Sequence, residues 1–285
     1  MKYILNRNKF IKESNENIDS ICMKLGISDY EIVDGVVNVD GDVIICKSKL
    51  TELPFQFGKV TGNFNCSENR LKSLKGSPYY VGGDFECNKN TYLKSLEFGP
   101  KEVLGSFDAQ QSGLTSLKGS PDKVGLDFSV YDNKITSLEH CTPYIGRDFD
   151  CSMNLLNTLE FGPGYVGRCY DCSINQLTNL IGSPDKVEWK FNCYDNKLTS
   201  LEGISSELAG YLDCTNNELT TLDFCPISIN KLYCSNNPIH KWWVRVLSDI
   251  ETIDSELLEL FIDMGIDSND PDEYNERRLK EILED

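Results

Sequence analysis

The chain has 285 residues, of which 40% are hydrophobic, so it is long enough to bury a substantial core. It carries 45 acidic and 28 basic side chains, and a net charge of −17 disfavours nucleic-acid phosphates and anionic membranes as partners. It has no run of 18 apolar residues and no apolar signal-peptide core near its polar start, so we expect a cytoplasmic protein without a membrane span.

Residues 1–42 are predicted to form a cap at one end of the fold. Residues 13–26 read ESNENIDSICMKLG, which predicts an amphipathic helix that ends before Gly26. Its apolar face would contain Ile18, Ile21, Cys22 and Leu25. The next segment, EIVDGVVNVDGDVII, has Asp-Gly pairs at 34–35 and 40–41, and it predicts a hairpin or strands that lead into the first coil.

Residues 43–238 repeat a unit of about 21 residues roughly ten times, which predicts a solenoid. In each unit an aromatic or aliphatic residue comes two places before a column of small residues, and asparagine or serine comes three places after it. Each asparagine lies where the chain leaves the strand, and its amide is predicted to bond backbone groups that the turn would otherwise bury unpaired. That column contains Cys66, Cys87, Ala109, Val130, Cys151, Cys172, Cys193, Cys214 and Cys234. Each unit is predicted to give one short strand, stacked in parallel on its neighbours.

The cysteine column is predicted to fill the interior. Free cysteine behaves as a small apolar residue, and Ala109 and Val130 occupy the same column with other small side chains. Twelve cysteines in a chain without a secretion signal indicate mostly reduced thiols. A straight ladder spreads its sulfur atoms along a line, whereas zinc needs four ligands around one point. We therefore expect no metal and no cofactor.

The pattern Phe64-x-Cys66-x-x-Asn69-x-Leu71 resembles the leucine-rich repeat, with cysteine in one leucine position. The phrases GGDFECNKN and SLKGSP are similar to short-repeat proteins of large tailed bacteriophages. The resemblance implies a β-rich α/β solenoid: a leucine-rich repeat stack of about ten coils with a parallel concave sheet. The Gly-Ser-Pro segments predict an irregular convex side, and helical caps are expected at both ends.

Residues 239–285 are predicted to form an acidic helical cap at the other end. Apolar residues from Ile239 to Ile250, including Trp242 and Trp243, follow helical spacing, and two further helical stretches follow. The segment carries 14 acidic and 5 basic side chains. It is either a solvated face of the cap or an interaction module.

No motif in the sequence indicates catalysis. The chain has two histidines, His140 in a convex segment and His240 in the C-terminal cap, which gives little support for general-base chemistry. Cys169 and Cys172 have CxxC spacing, but they should point to opposite sides of one strand. The pattern is also weakly similar to secreted effectors, some of which are ubiquitin ligases with a catalytic cysteine in a C-terminal domain. Residues 239–285 contain no cysteine, so we expect a non-enzymatic protein.

The remaining candidate for function is the outward face of the predicted sheet. The first column lies three places before the cysteine column, the second column one place before it, and the third column one place after it. The predicted partner-binding residues are Asp84, Asp127, Asp148 and Tyr211 in the first column, Glu86, Asp108, Asp150, Asp171, Asp213 and Tyr233 in the second, and Tyr131 and Tyr194 in the third. Stacked carboxylates predict a protein partner with a basic surface.

Two other classes of function stay open. Carboxylates along one face suit an acidic mimic of DNA that would occupy a nucleic-acid-binding host protein. The chain could equally be a virion or assembly component, or a secreted bacterial effector. The alternative to all of these is that the acidic face is only solvated and binds no partner.

Overall fold

The computed structural model describes residues 17–226 and 229–238. One helix, α1, covers residues 17–25 of this range, and Gly26 follows it with φ of +70°. Ile18 and Cys22 are buried in the common hydrophobic core, and Ile21 and Leu25 are half-buried, so the predicted apolar face is confirmed. No helix in the described residues has the length and apolar character that a membrane crossing requires.

A two-strand hairpin follows α1. β1 (Tyr30–Val33) pairs antiparallel with β2 (Val36–Val39), and Val33 lies opposite Val36. The connecting residues Asp34 and Gly35 both have positive φ, at 51° and 80°. Two successive positive φ angles are what a type I′ hairpin turn requires, and Asp-Gly is a preferred sequence for it. The predicted hairpin is therefore present.

Eighteen further short strands, numbered in chain order, complete two sheets of ten strands each. The valine sheet contains β1, β2, β4 (Gln56–Val60), β6 (Tyr80–Val81), β8 (Glu102–Val103), β10 (Lys123–Val124), β12 (Tyr144–Ile145), β14 (Tyr165–Val166), β16 (Lys186–Val187) and β18 (Glu207–Leu208). The Phe/Cys sheet contains β3 (Val43–Ile44), β5 (Phe64–Asn65), β7 (Phe85–Glu86), β9 (Phe107–Asp108), β11 (Phe128–Ser129), β13 (Phe149–Asp150), β15 (Cys169–Asp171), β17 (Lys190–Asn192), β19 (Tyr211–Asp213) and β20 (Lys231–Tyr233).

The Phe/Cys sheet is the parallel sheet that the repeat predicts. Its strands pair in register, so that Phe64 lies beside Phe85 and Phe128 beside Phe149. Each coil of about 21 residues adds one strand to this sheet and then returns through the other sheet. The chain is thus a parallel-strand solenoid, as the sequence predicted, with about nine turns where about ten coils were expected.

The second sheet corrects the predicted irregular convex side. The return path of most coils forms a two-residue strand that pairs in parallel with the next coil, as Tyr80–Val81 does with Glu102–Val103. Each such strand points one aliphatic side chain into the core. The members of this fully buried column are Val60, Val81, Val103, Val124, Ile145, Val166, Val187 and Leu208. Gly-Ser-Pro turns precede these strands rather than replacing them.

The interior consists of stacked columns of like side chains. Aromatic rings form a ladder in which neighbouring centroids lie 4.9 to 5.7 Å apart, from Phe64 through Tyr170 to Phe191. Cys66, Cys87 and Cys151 are fully buried, and so are Cys172, Cys193 and Cys214. All twelve cysteines are free thiols. The interior role predicted for the cysteine column is confirmed.

An asparagine ladder joins each coil to the coil before it. Asn133 Nδ2 donates to the carbonyl oxygens of Ala109, one coil earlier, at 3.0 Å and of Val130 at 2.9 Å. Its Oδ1 accepts the N–H groups of Ser112 and Leu114 at 3.0 and 2.9 Å. Backbone groups that the turn would otherwise bury unpaired are thereby satisfied, as predicted. Ser112 has only one hydroxyl for this role, which it donates to the carbonyl oxygens of Cys87 and Gln110.

The predicted C-terminal cap, residues 239–285, lies outside the described residues. His240, Trp242 and Trp243 lie there too. Helical caps at both ends therefore stay a prediction.

Candidate functional site

The structure brings most of the predicted partner-binding residues onto the outer face of the Phe/Cys sheet. The second column is continuous: Glu86 pairs in register with Asp108, Asp150 with Asp171, and Asp213 with Tyr233. Ser129 and Asn192 fill the two gaps between these pairs. The carboxylates of this column are all half-buried, so one side of each side chain contacts the fold and the other faces solvent.

Four of the five carboxylates of the second column, all but Glu86, also close the turn that follows their strand. Asp150 Oδ1 accepts the backbone N–H of Ser152 at 3.0 Å, and Asp171 does the same for Ser173. Equivalent bonds are donated by Gln110 to Asp108 and by Thr215 to Asp213. Asn65 performs this role with its amide oxygen. Where this bond is made, it uses an oxygen acceptor at the second column, and a negative charge is not required for it.

The charge of the second column is only weakly compensated. Burial and the neighbouring Asp108 and Asp84 carboxylates raise the pKa of Glu86. Burial, with Asp171 and Asp108 nearby, likewise raises the pKa of Asp150 despite its hydrogen bonds from Ser152. Two amide side chains partly compensate this negative charge, because Asn65 donates a hydrogen bond to Glu86 at 2.7 Å and Asn192 donates one to Asp171 at 2.8 Å.

No lysine or arginine within the described ranges makes an ion pair with a carboxylate of the second column. The column is consequently a line of half-buried negative charge without a cationic partner among the described residues. An external cationic group could approach its solvent-facing side.

The first column is used mainly inside the fold. Asn63 Oδ1 accepts the N–H of Asp84, and Asp84 Oδ1 accepts that of Ser106, each at 2.7 Å. A Cβ at Gly83 would lie 2.1 Å from Asn63 Oδ1, so glycine is required there for the side chain to reach the next coil. The carboxylate of Asp84 thus connects two coils through a hydrogen bond. This structural role competes with the partner-binding role that the sequence predicted for Asp84.

Two arginines neutralise the other acids of the first column. Arg147 Nε lies 3.6 Å from Asp127 Oδ1, and Arg168 forms a two-pronged pair with Asp148, with Nε 2.7 Å from Oδ1. Burial opposes ionisation of Asp148, but the hydrogen bonds and charge of Arg168 outweigh it and lower its pKa. The predicted negative surface from Asp84 to Asp171 is therefore narrower than expected, and it is concentrated in the second column.

Sequence reasoning missed the group of cations and aromatic rings beside these arginines. Arg168 stacks over the Trp189 ring at 5.6 Å, and Trp189 lies 6.2 Å from Tyr211. Tyr211 lies between Lys190 and Lys231 in the sheet register. The signal was available one place before the first column, where glycine gives way to Leu126, Arg147, Arg168 and Trp189 in four successive coils.

The third column is only partly exposed, which corrects the expectation that it faces outward. Tyr131 and Tyr194 are half-buried, but Ser67, Ser152 and Ser173 are buried. Most strands end one residue before the cysteine column, so the chain is already turning at this position. The N–H and hydroxyl of Ser67 both donate to Asn65 Oδ1.

The environment of the thiols disfavours the reactive thiolate form. Burial raises the pKa of Cys172 and Cys193, and their Sγ atoms donate weakly to carbonyl oxygens of the next coil at 3.4 and 3.3 Å. Cys169 is half-buried and points away from Cys172, as predicted, and burial with the nearby Asp148 raises its pKa to about 11.

Within residues 17–226 and 229–238, no three His, Cys, Asp or Glu side chains are grouped to hold a metal ion. No protein-family model matches the sequence, and a search of the curated proteins finds no match. Function must therefore be inferred from the exposed columns themselves.

Proposed function

We propose that this protein is a non-enzymatic binding module that engages a basic protein surface through the second column of the Phe/Cys sheet. The observation that carries the proposal is the line formed by Glu86, Asp108, Asp150, Asp171 and Asp213, which have no cationic partner among the described residues. Tyr233 and Tyr194 extend the same face with aromatic side chains.

The carboxylates of this acidic line give the fold no benefit that asparagine side chains would not also give. Like charges opposite one another on a sheet are unfavourable, and burial adds to this at Glu86 and Asp150. A lysine or arginine from a partner would relieve both effects at once. Complementary charge of this kind mainly accelerates encounter and selects the partner.

The carboxylates are also held in place before any partner arrives. Their Oδ1 atoms accept backbone N–H groups at 3.0 to 3.1 Å in Asp108, Asp150, Asp171 and Asp213. Binding would then cost little side-chain ordering, which is the usual benefit of preorganisation.

We also propose a repeat type and an origin for the protein. The pattern Phe64-x-Cys66-x-x-Asn69-x-Leu71 supports a coil of the leucine-rich repeat type, and the GGDFECNKN and SLKGSP phrases support an origin in a tailed bacteriophage. The partner would then be a host or viral protein in the cytoplasm of the infected cell.

The test uses a charge-removing variant that preserves the turns: Asp108→Asn, Asp150→Asn and Asp171→Asn together. Asparagine already occupies this column at Asn65 and Asn192, so the fold should be retained. Fluorescence anisotropy with a labelled arginine-rich peptide should show binding at least tenfold weaker than that of the unmodified protein. Affinity capture from a bacterial host lysate, with the same pair of proteins, would then identify the natural partner.

A matched control removes three charges elsewhere: Asp122→Asn, Asp185→Asn and Glu202→Gln, all exposed and outside the three columns. This variant has the same net charge as the first and should bind the peptide as the unmodified protein does. Equal weakening in both variants would mean that only net charge matters, and it would reject the second column as a site.

A further inference from the structure

Three phenylalanines lie exposed on turns where the backbone favours glycine. Phe98, Phe161 and Phe224 have φ of 69°, 65° and 67° and exposed fractions of 64%, 69% and 63%. A bulky residue with positive φ is a genuine outlier. Strain of this kind, together with exposure of an aromatic ring, is evidence for a role outside folding.

Each phenylalanine is the third residue of a four-residue turn. The turn is closed by the N–H of the fourth residue donating to the carbonyl of the first, as Gly99 does to Leu96 at 2.9 Å and Gly162 to Leu159 at 3.0 Å. The third position of such a turn needs positive φ and is normally glycine. Other coils of this chain use glycine there, namely Gly76, Gly119, Gly182 and Gly203, and one uses histidine, His140, with φ of 69°.

The three rings are evenly spaced along one side of the solenoid. Phe98, Phe161 and Phe224 are separated by 63 residues in both intervals, which is three coils. At about 4.8 Å per coil, neighbouring rings are roughly 14 Å apart. We call the three phenylalanines and the acid before each, Glu97, Glu160 and Asp223, the phenylalanine edge.

The edge is negative as well as apolar. Glu97 forms an ion pair with Lys118 at 2.8 Å, whereas Glu160 and Asp223 have no ion pair in the described part of the chain. With the net charge of −17, this acidity disfavours a second copy of the same chain as the occupant. It favours a segment that carries lysine or arginine beside its apolar residues.

The spacing of the three phenylalanine rings determines which backbone conformation of that segment can contact all of them. An extended chain advances about 3.4 Å per residue, so four residues cover about 14 Å and positions i, i+4 and i+8 face the same side. A helix needs nine or ten residues for the same distance, and these would fall on different faces because its period is 3.6.

We propose that the phenylalanine edge binds an extended basic segment of another protein, with apolar side chains at i, i+4 and i+8. This surface lies on turns outside the Phe/Cys strands, with Phe98 before β8 and Phe161 before β14 of the valine sheet, so it is distinct from the second column, and it does not depend on the function proposed above.

The test measures binding of a labelled 11-residue peptide with leucine at positions 2, 6 and 10, and lysine and serine elsewhere. A peptide of the same composition with leucine at positions 2, 5 and 8, and one with glutamate in place of lysine, are the controls. The first peptide should bind at least tenfold more tightly than either control. Equal binding of the two lysine peptides would overturn the proposal.

A variant with Phe98→Gly, Phe161→Gly and Phe224→Gly tests the edge directly. Glycine is the native residue of the equivalent turns, so the melting temperature should stay the same or rise, while affinity for the first peptide should fall at least tenfold. The Asp108/Asp150/Asp171→Asn variant should keep the tenfold preference for this peptide over the peptide with leucine at positions 2, 5 and 8. Unchanged binding by the glycine variant, or a melting temperature lowered by about 5 °C or more, would contradict the proposal.

Discussion

Asp150 accepts the backbone N–H of Ser152 at 3.0 Å, so a residue predicted to bind a partner also closes a turn of its own coil. The same contact is made by Asn65 to Ser67, without a charge. Shape and charge at the second column can therefore be separated experimentally, because asparagine supplies the acceptor and removes the carboxylate.

Asp150→Asn is expected to stabilise the protein at neutral pH. Burial raises the pKa of Asp150 in the folded state. The neutral carboxyl group therefore contributes stability at pH values below the unfolded-chain pKa of about 3.9, and this contribution is lost as pH rises through the folded-state pKa. Removing the ionisable group should raise the melting temperature at pH 7 by about 1–3 °C, the shift that about 1 kcal/mol produces. Thermal unfolding between pH 3.5 and 7 measures this.

The gain from Asp150→Asn should shrink as pH falls through the raised folded-state pKa of Asp150, because the carboxyl group of the unmodified protein then takes up a proton. Asp150→Ala is the control: it leaves the Ser152 N–H without an acceptor and should lower the melting temperature at every pH. A gain for Asp150→Asn that is the same at pH 4 and pH 7 would show that charge is not its cause.

Asn133→Ala is expected to be strongly destabilising. The substitution removes four hydrogen bonds to buried backbone groups of two coils and leaves those groups unpaired. The expected loss is about 3 kcal/mol, or a fall in melting temperature of roughly 10 °C. Asn157→Ala, at an exposed position, should change the melting temperature by less than about 2 °C. Similar effects of the two substitutions would argue against the asparagine ladder.

Tyr170→Phe is expected to increase stability. Tyr170 is fully buried in the aromatic ladder, its hydroxyl makes no hydrogen bond to a nitrogen or oxygen atom in the described part of the chain, and most other members of the ladder are phenylalanine. Removing a buried unpaired hydroxyl should gain about 1 kcal/mol in the free energy of unfolding, measurable by urea titration. The control, Tyr165→Phe on the surface, should have little effect. A loss of stability in Tyr170→Phe would mean that its hydroxyl is satisfied.

The repeat made much of the fold predictable from sequence. Columns of phenylalanine, cysteine and asparagine at a constant interval predicted the Phe/Cys sheet, its interior and its asparagine bonds. Local rules predicted the Asp34-Gly35 turn and the end of α1 at Gly26. These features depend on residues close in sequence or on strict periodicity, and both are visible without coordinates.

The valine sheet and the pairing of the acids were not predicted. A two-residue strand such as Tyr80–Val81 has one inward side chain, so no alternation is visible within it. The column of Val81, Val103 and Val124 was the available signal. The arginine pairs were missed because Arg168 and Asp148 belong to different coils, and 20 residues separate them.

The central claim is that the recurring cysteines are interior packing, which leaves the outward columns and the turns for recognition. Site-resolved alkylation with iodoacetamide, read by mass spectrometry in native buffer and in urea, tests it most directly. Half-buried Cys46 should react under native conditions, whereas Cys66, Cys87, Cys151, Cys172, Cys193 and Cys214 should be protected at least 100-fold until the chain unfolds. Native alkylation of these six thiols at the rate seen in urea would contradict the claim.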